Sequence, residues 1–96
     1  MDVLIAYDVA TETREGHRRL RRVAQACKDF GQRVQKSVFE CSVNEMQFVL
    51  LRQRPLECIN TQQDNLRMYR LVEPRERYVE AYGKNLYMDF DEPLVL

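Results

Sequence analysis

The chain has 96 residues, with 15 basic and 15 acidic side chains and a formal net charge of zero; a chain of this length suits one domain that buries roughly two-thirds of the surface its unfolded state exposes. No apolar run is long enough to span a membrane, and Asp8 breaks the N-terminal apolar stretch too early for a signal peptide, which argues against membrane-embedded and secreted classes. Three widely spaced cysteines (Cys27, Cys41 and Cys58) and the single His17 make neither a zinc site nor a disulfide framework, so they read as reduced core thiols of a cytoplasmic protein.

Residues 3–9 are apolar and partly β-branched and predict a buried strand. Residues 13–30 predict a helix: Leu20, Val23, Ala24, Cys27 and Phe30 recur on one face, Thr11 or Thr13 is placed to cap its start, and Gly31 to end it. Its opposite face carries Arg14, Arg18, Arg21, Arg22 and Lys28. Residues 33–42 are extended and break into two strands near Lys36-Ser37. Ser42-Val43-Asn44-Glu45 has capping-box spacing, with Ser42 at the cap, so a second helix is expected to begin at Val43. Met46, Val49, Leu50 and Leu51 supply its apolar side. Pro55 removes a backbone donor and is expected to kink or restart it before Leu56-Glu57-Cys58-Ile59. Gln62-Gln63-Asp64-Asn65 reads as a turn, residues 66–72 as a strand stopped by Pro74, and Tyr78-Val79-Glu80-Ala81-Tyr82 as another, closed by Gly83.

This order indicates a single α+β domain over residues 1–96, with helices packed on one face of an antiparallel sheet in the ferredoxin-like βαββαβ arrangement. An additional C-terminal strand is expected. After the acidic turn Asp89-Phe90-Asp91-Glu92, Pro93 introduces Leu94-Val95-Leu96, a stub that cannot bury itself by local contacts. It either packs on its own sheet or adds to the edge of a second copy in a symmetric homodimer, with residues from about 84 to 96 as the dimerisation segment.

Asp8 carries the strongest chemical signal. A carboxylate at the end of a buried strand is costly to desolvate without a partner. It can cap the helix start, pair with a neighbouring arginine, or bind a metal ion. Magnesium takes oxygen ligands, keeps several waters and is often held by one or two carboxylates plus phosphates. One aspartate per chain is too few for a cage, whereas a two-fold axis joining Asp8 to its symmetry mate supplies two.

Charge is unevenly spread: residues 1–36 carry eight basic and five acidic side chains, and residues 73–96 carry three and six. Arginines on the outer face of an amphipathic helix are ordinarily just solvated, but an excess of this size also suits a phosphate backbone. Arg33 and Lys36 extend the basic set along the next segment. Gln35, Ser37 and Glu40 either position nucleic acid or water, or fix the strand pair. Val34, Val38 and Phe39 read as core, Tyr7 as packing or stacking, and His17 as a solvated residue with a weak case as a base.

An apolar strand ending Tyr7-Asp8, an arginine-rich helix and then Gly31-x-Arg33-Val34-Gln35-x-Ser37-Val38-Phe39-Glu40 resembles the small CRISPR-associated endoribonuclease family of the spacer-acquisition complex. The resemblance covers nearly the whole chain, and the helix and tail are most similar to the type I-C branch. It implies a ferredoxin-like fold, a homodimer with exchanged C-terminal strands, and metal-dependent cleavage of RNA or double-stranded DNA with magnesium, or manganese in its place. It further implies a bridge between two dimers of the CRISPR integrase, and it sets the family's catalytic, metal-binding aspartate on Asp8. Nucleic-acid contacts then fall to Arg14, Arg18, Arg21, Arg22, Arg33 and Lys36. The alternative is a non-catalytic DNA-binding scaffold of the integrase complex. A sheet of the RNA-recognition-motif type is disfavoured, because no segment carries the Lys/Arg-Gly-aromatic-Gly/Ala-Phe-Val signature.

Overall fold

A computed structural model describes residues 1–84. Its elements are β1 (Asp2–Asp8), α1 (Arg14–Lys28), β2 (Gly31–Gln35), β3 (Val38–Ser42), α2 (Glu45–Cys58), β4 (Asn65–Leu71) and the single turn α3 (Arg75–Tyr78). The antiparallel sheet has the order β2-β3-β1-β4, which with the βαββαβ chain order is the ferredoxin-like arrangement.

β1 is central because it is the most apolar strand and is flanked on both sides. Asp2 to Ala6 face Ser42 to Val38 of β3, and Asp2 to Asp8 face Leu71 to Asn65 of β4. Side chains alternate along it: Val3, Ile5 and Tyr7 are buried beneath the helices, Leu4 and Ala6 are half-buried on the other face, and Asp8 is exposed. Phe39 and Cys41 of β3 join the buried side, with Val23 and Cys27 from α1 and Phe48 and Leu51 from α2.

α1 starts at Thr13, whose Oγ1 accepts the Gly16 N–H at 3.0 Å, so of the two candidate caps Thr13 is used. Gly31 does not end the helix, which stops at Lys28 with Asp29 as its C-cap. It opens β2, where an added Cβ would collide with the Glu40 carbonyl and the Cys41 sulfur. A close strand approach, not a left-handed cap, requires that glycine.

α2 begins at Glu45 rather than Val43. Ser42 is still paired with Asp2, and the Val43 N–H donates to the Met1 carbonyl at 2.8 Å, so strand pairing runs through the segment that looked like a cap. The capping box lies two residues later: Asn44 Oδ1 accepts from the Gln47 N–H at 2.7 Å, and Gln47 Oε1 accepts from the Asn44 N–H at 2.9 Å. Pro55 does not restart the helix, which continues to Cys58 with the proline ring buried. The inward face is Phe48, Leu51 and Pro55, while Met46, Val49 and Leu50 are exposed.

The strand expected over residues 78–82 is absent: Tyr78 closes α3, and residues 79–84 form no strand. A strand needs a neighbouring edge to take its N–H and C=O groups. Arg75 instead ion-pairs with Glu40 at 3.7 Å, and Glu40 lies opposite Leu4 on the face that α1 and α2 leave uncovered. Among the described residues no strand pairs with the outer edge of β4. The acidic turn, Pro93 and Leu94-Val95-Leu96 lie outside the described residues.

Candidate nucleic-acid and metal site

Four segments meet at one end of the sheet. Asp8 closes β1 opposite Asn65, the first residue of β4. The Tyr7 N–H donates to the Ser37 carbonyl at 3.1 Å, which brings the Lys36-Ser37 turn alongside. The loop after Asp8 leads into the Thr13 cap of α1, and the α2–β4 turn ends at Asp64.

Asp8 is exposed, in alternation phase with Leu4 and Ala6 on the uncovered face. This corrects the premise that its carboxylate is desolvated. Among the described residues no hydrogen bond or ion pair reaches that carboxylate. Both structural roles open to it are filled by other residues: Thr13 caps the helix, and Asp64 pairs with an arginine of α1.

Asp64 is the residue that sequence reasoning missed, because an acid in Gln62-Gln63-Asp64-Asn65 looks like any polar turn residue. Its side chain is 0% exposed. Oδ1 accepts the Ala10 N–H at 3.0 Å, and Oδ2 accepts the Asn60 N–H at 2.8 Å and Arg19 Nε at 2.9 Å. Arg19 also donates to Gln63 Oε1 at 3.1 Å. Burial pushes the Asp64 carboxyl up, but the Asn60 N–H, the Arg19 guanidinium and the Ala10 N–H together outweigh it and hold the group below its ordinary value. On the other side of the loop, a Cβ at Gly16 would run into the Ala10 carbonyl, so the first turn of α1 lies directly against it.

The basic residues divide into two groups. Arg14, Arg18, Arg21 and Arg22 are exposed at three- and four-residue spacing, one stripe along α1, and Lys36 is exposed in the β2–β3 turn. Arg33 stands apart, opposite Phe39 on the helix-covered face, with its guanidinium 5.1 Å from the Phe39 ring centre and its Nε enclosed without a hydrogen bond. Tyr7 is buried, stacked on Phe39 at 6.3 Å, and burial pushes its phenol up, so it packs. Val34 and Val38 are half-buried, Gln35 is exposed, and His17 is exposed on α1.

No group of three or more His, Cys, Asp or Glu side chains suited to a metal ion occurs among the described residues. An open recess of about 610 Å³, lined by Val43, Asn44, Glu45, Arg70, Leu71 and Glu73 with Met1, lies at the opposite end of the sheet. No helix of the described residues is long and apolar enough to cross a membrane.

Comparison with known proteins gives a consistent answer. A family model described as CRISPR associated protein Cas2 matches residues 1–78. The chain is 65% identical over 96 residues to the CRISPR-associated endoribonuclease Cas2 1 of Moorella thermoacetica, covering 100% of both chains. It is 44% identical over 95 residues to the CRISPR-associated endonuclease Cas2 of Halalkalibacterium halodurans, covering 99% of each. Its fold is similar to the crystal structure of Streptococcus pyogenes Cas2 at pH 6.5, with a TM-score of 0.76 and 49% identity over 86% of this chain and 100% of that one.

Proposed function

The chain belongs to the CRISPR-associated Cas2 family, and from that premise we propose that it is a metal-dependent endonuclease that cleaves phosphodiester bonds in RNA or double-stranded DNA. It works in the cytoplasm as a homodimer, with Asp8 from both copies at one site. The names of its relatives, endoribonuclease in one case and endonuclease in another, support the nuclease part. The observation that carries the assignment is the Asp8 carboxylate itself: exposed at the end of the central strand and unpartnered among the described residues.

The donor set suits a hard cation. A carboxylate in water at a strand end is the kind of ligand magnesium or manganese accepts, and a symmetry-related Asp8 supplies the second. Half-buried Leu4, Ala6, Val38 and Leu71 and exposed Tyr69 lie on the uncovered sheet face and support a second copy seated there. A bound ion polarises a phosphoryl oxygen and lowers the pKa of a coordinated water. The chain's own contribution is to hold the substrate. The arginine stripe of α1 and Lys36 grip the phosphate backbone, while the tight Tyr7–Ser37 pairing keeps that turn beside Asp8.

Replacing Asp8 by Asn removes one anionic ligand per copy without touching the core. The Asp8→Asn protein is expected to lose at least about a hundredfold in cleavage rate, with its melting temperature and oligomeric state unchanged. Undiminished, metal-insensitive cleavage by that variant would falsify the catalytic assignment. A second reading rests on the stripe. Like charges four apart on a helix each cost about 0.2–0.5 kcal/mol, a cost that a bound nucleic acid removes. On this reading the protein is a scaffold that bridges integrase dimers during spacer integration and holds duplex DNA, whether or not Asp8 turns over.

A further inference from the structure

We propose that Asp64, held by Arg19, is the positioning residue of the Asp8 site. This rests on the role proposed for Asp8 above. Beyond Asp8 the chain leaves the β ladder, and the first bond that fixes its direction is the Ala10 N–H to Asp64 Oδ1 at 3.0 Å. The residue after Asp64 is Asn65, the ladder partner of Asp8. These links close a small ring that runs from Asp8 across the ladder to Asn65, back one residue to Asp64, through its side chain to Ala10, and through Val9 to Asp8. The backbone just after Asp8, and the turn leading to its ladder partner Asn65, are therefore tied to one carboxylate.

The chemistry of that carboxylate is not replaceable by an amide. Each oxygen accepts a backbone N–H, from Ala10 on one and Asn60 on the other, and Arg19 Nε adds a third donor at 2.9 Å. An ionised aspartate is acceptor-only, whereas asparagine puts an NH₂ where one of those N–H groups points. Asp64→Asn must therefore lose either the Ala10 or the Asn60 tether. Arg19 fixes the plane of the carboxylate and neutralises its buried charge, which is costly to leave unpaired. Gly16 lets α1 press on the Ala10 carbonyl from the other side. The loop is clamped between a charged tether and a helix end, and Asp8 is the exposed side chain at its root.

The test uses the full chain and three variants: Asp64→Asn, Arg19→Gln and Asp8→Asn. Cleavage of a labelled RNA and a labelled duplex is measured against manganese concentration, at a temperature where circular dichroism shows each variant folded. Amide hydrogen exchange is followed over residues 8–11. Asp64→Asn is expected to lower kcat about tenfold to a hundredfold, the cost of a misplaced reacting group, with KM unchanged. It should also raise the manganese concentration needed for half-maximal rate and speed exchange at Ala10. A folded Asp64→Asn protein with wild-type kcat, manganese requirement and Ala10 exchange overturns the proposal; a loss of melting temperature alone, with those readouts unmoved, does the same. If Asp64→Asn does not fold, Arg19→Gln, which keeps both backbone tethers but frees the carboxylate plane, is expected to shift the same readouts in the same direction by less. Arg19→Gln with unmoved kcat and manganese requirement then counts against it. Full activity in Asp8→Asn sinks the Asp8 reading instead, and exchange at Ala10 still reports whether Asp64 holds the loop.

Discussion

Asp8 and Asp64 are the same side chain put to opposite uses. Asp8 stands in solvent without a partner among the described residues, while Asp64 is enclosed and receives donors from three residues, Ala10, Asn60 and Arg19. The enclosure has a pH consequence. Because the folded pKa of Asp64 lies below its ordinary carboxylate value, its contribution to stability is fully present above that value. It is lost as pH falls through the lower folded pKa. Melting temperatures between about pH 2 and pH 6 should therefore fall on acidification, and Asp64→Asn should flatten part of that slope; an unchanged slope in the variant would assign acid lability to other carboxylates. Asp8 was legible because an acid interrupts an apolar strand. Asp64 was not, since its role comes from Ala10 and Arg19, 54 and 45 residues away in the chain, and Arg19 is hidden within a run of other arginines. The burial of Cys27 and Cys41 was legible from their apolar neighbours, and it pushes their thiols up to about 12 and about 11, mainly by desolvation.

At the level of elements, α1 is the clearest case of a helix with two jobs. Its inner face, Val23, Ala26 and Cys27, is locked into the core, and its outer stripe carries Arg14, Arg18, Arg21 and Arg22. Reversing Arg18, Arg21 and Arg22 to Glu should leave the fold intact and weaken binding of duplex DNA. The slope of log affinity against log salt should shrink by about 0.9 for each phosphate contact removed. Filter binding or anisotropy at several salt concentrations checks this, and an unchanged slope would mean that the stripe is only solvated. The sequence predicted α1 well because its apolar period runs uninterrupted from Leu20 to Cys27. It placed the start of α2 two residues early because Ser42-x-x-Glu45 imitates a capping box, while the pairing of Ser42 with Asp2 and of Val43 with Met1 outweighs it. The strand expected at 78–82 did not form because local β propensity alone does not place a segment on the edge that β4 offers, and Arg75 lies against Glu40 instead.

On the scale of the whole molecule the sheet has one face packed under α1 and α2 and one face that those two helices leave uncovered, where apolar Leu4, Ala6, Val38 and Leu71 sit beside Tyr69 and the Arg75–Glu40 pair. If two copies associate through that face with exchanged C-terminal strands, deleting Leu94-Val95-Leu96 should weaken the dimer while each copy stays folded. Sedimentation velocity over a dilution series reads this directly, and an unaltered dimer would remove the tail from the interface. The alternation along β1 made the two faces legible in the sequence. The central position of β1 has one more consequence, for synthesis. It is the first strand made, yet its neighbour β4 is the last of the described strands. A nascent chain that has emerged only as far as Ser42 already holds Asp8 and every arginine of α1, but neither Asn65 nor Asp64. A chain stalled at that point carries these side chains without the strand partner of Asp8 or the carboxylate that holds the Ala10 N–H.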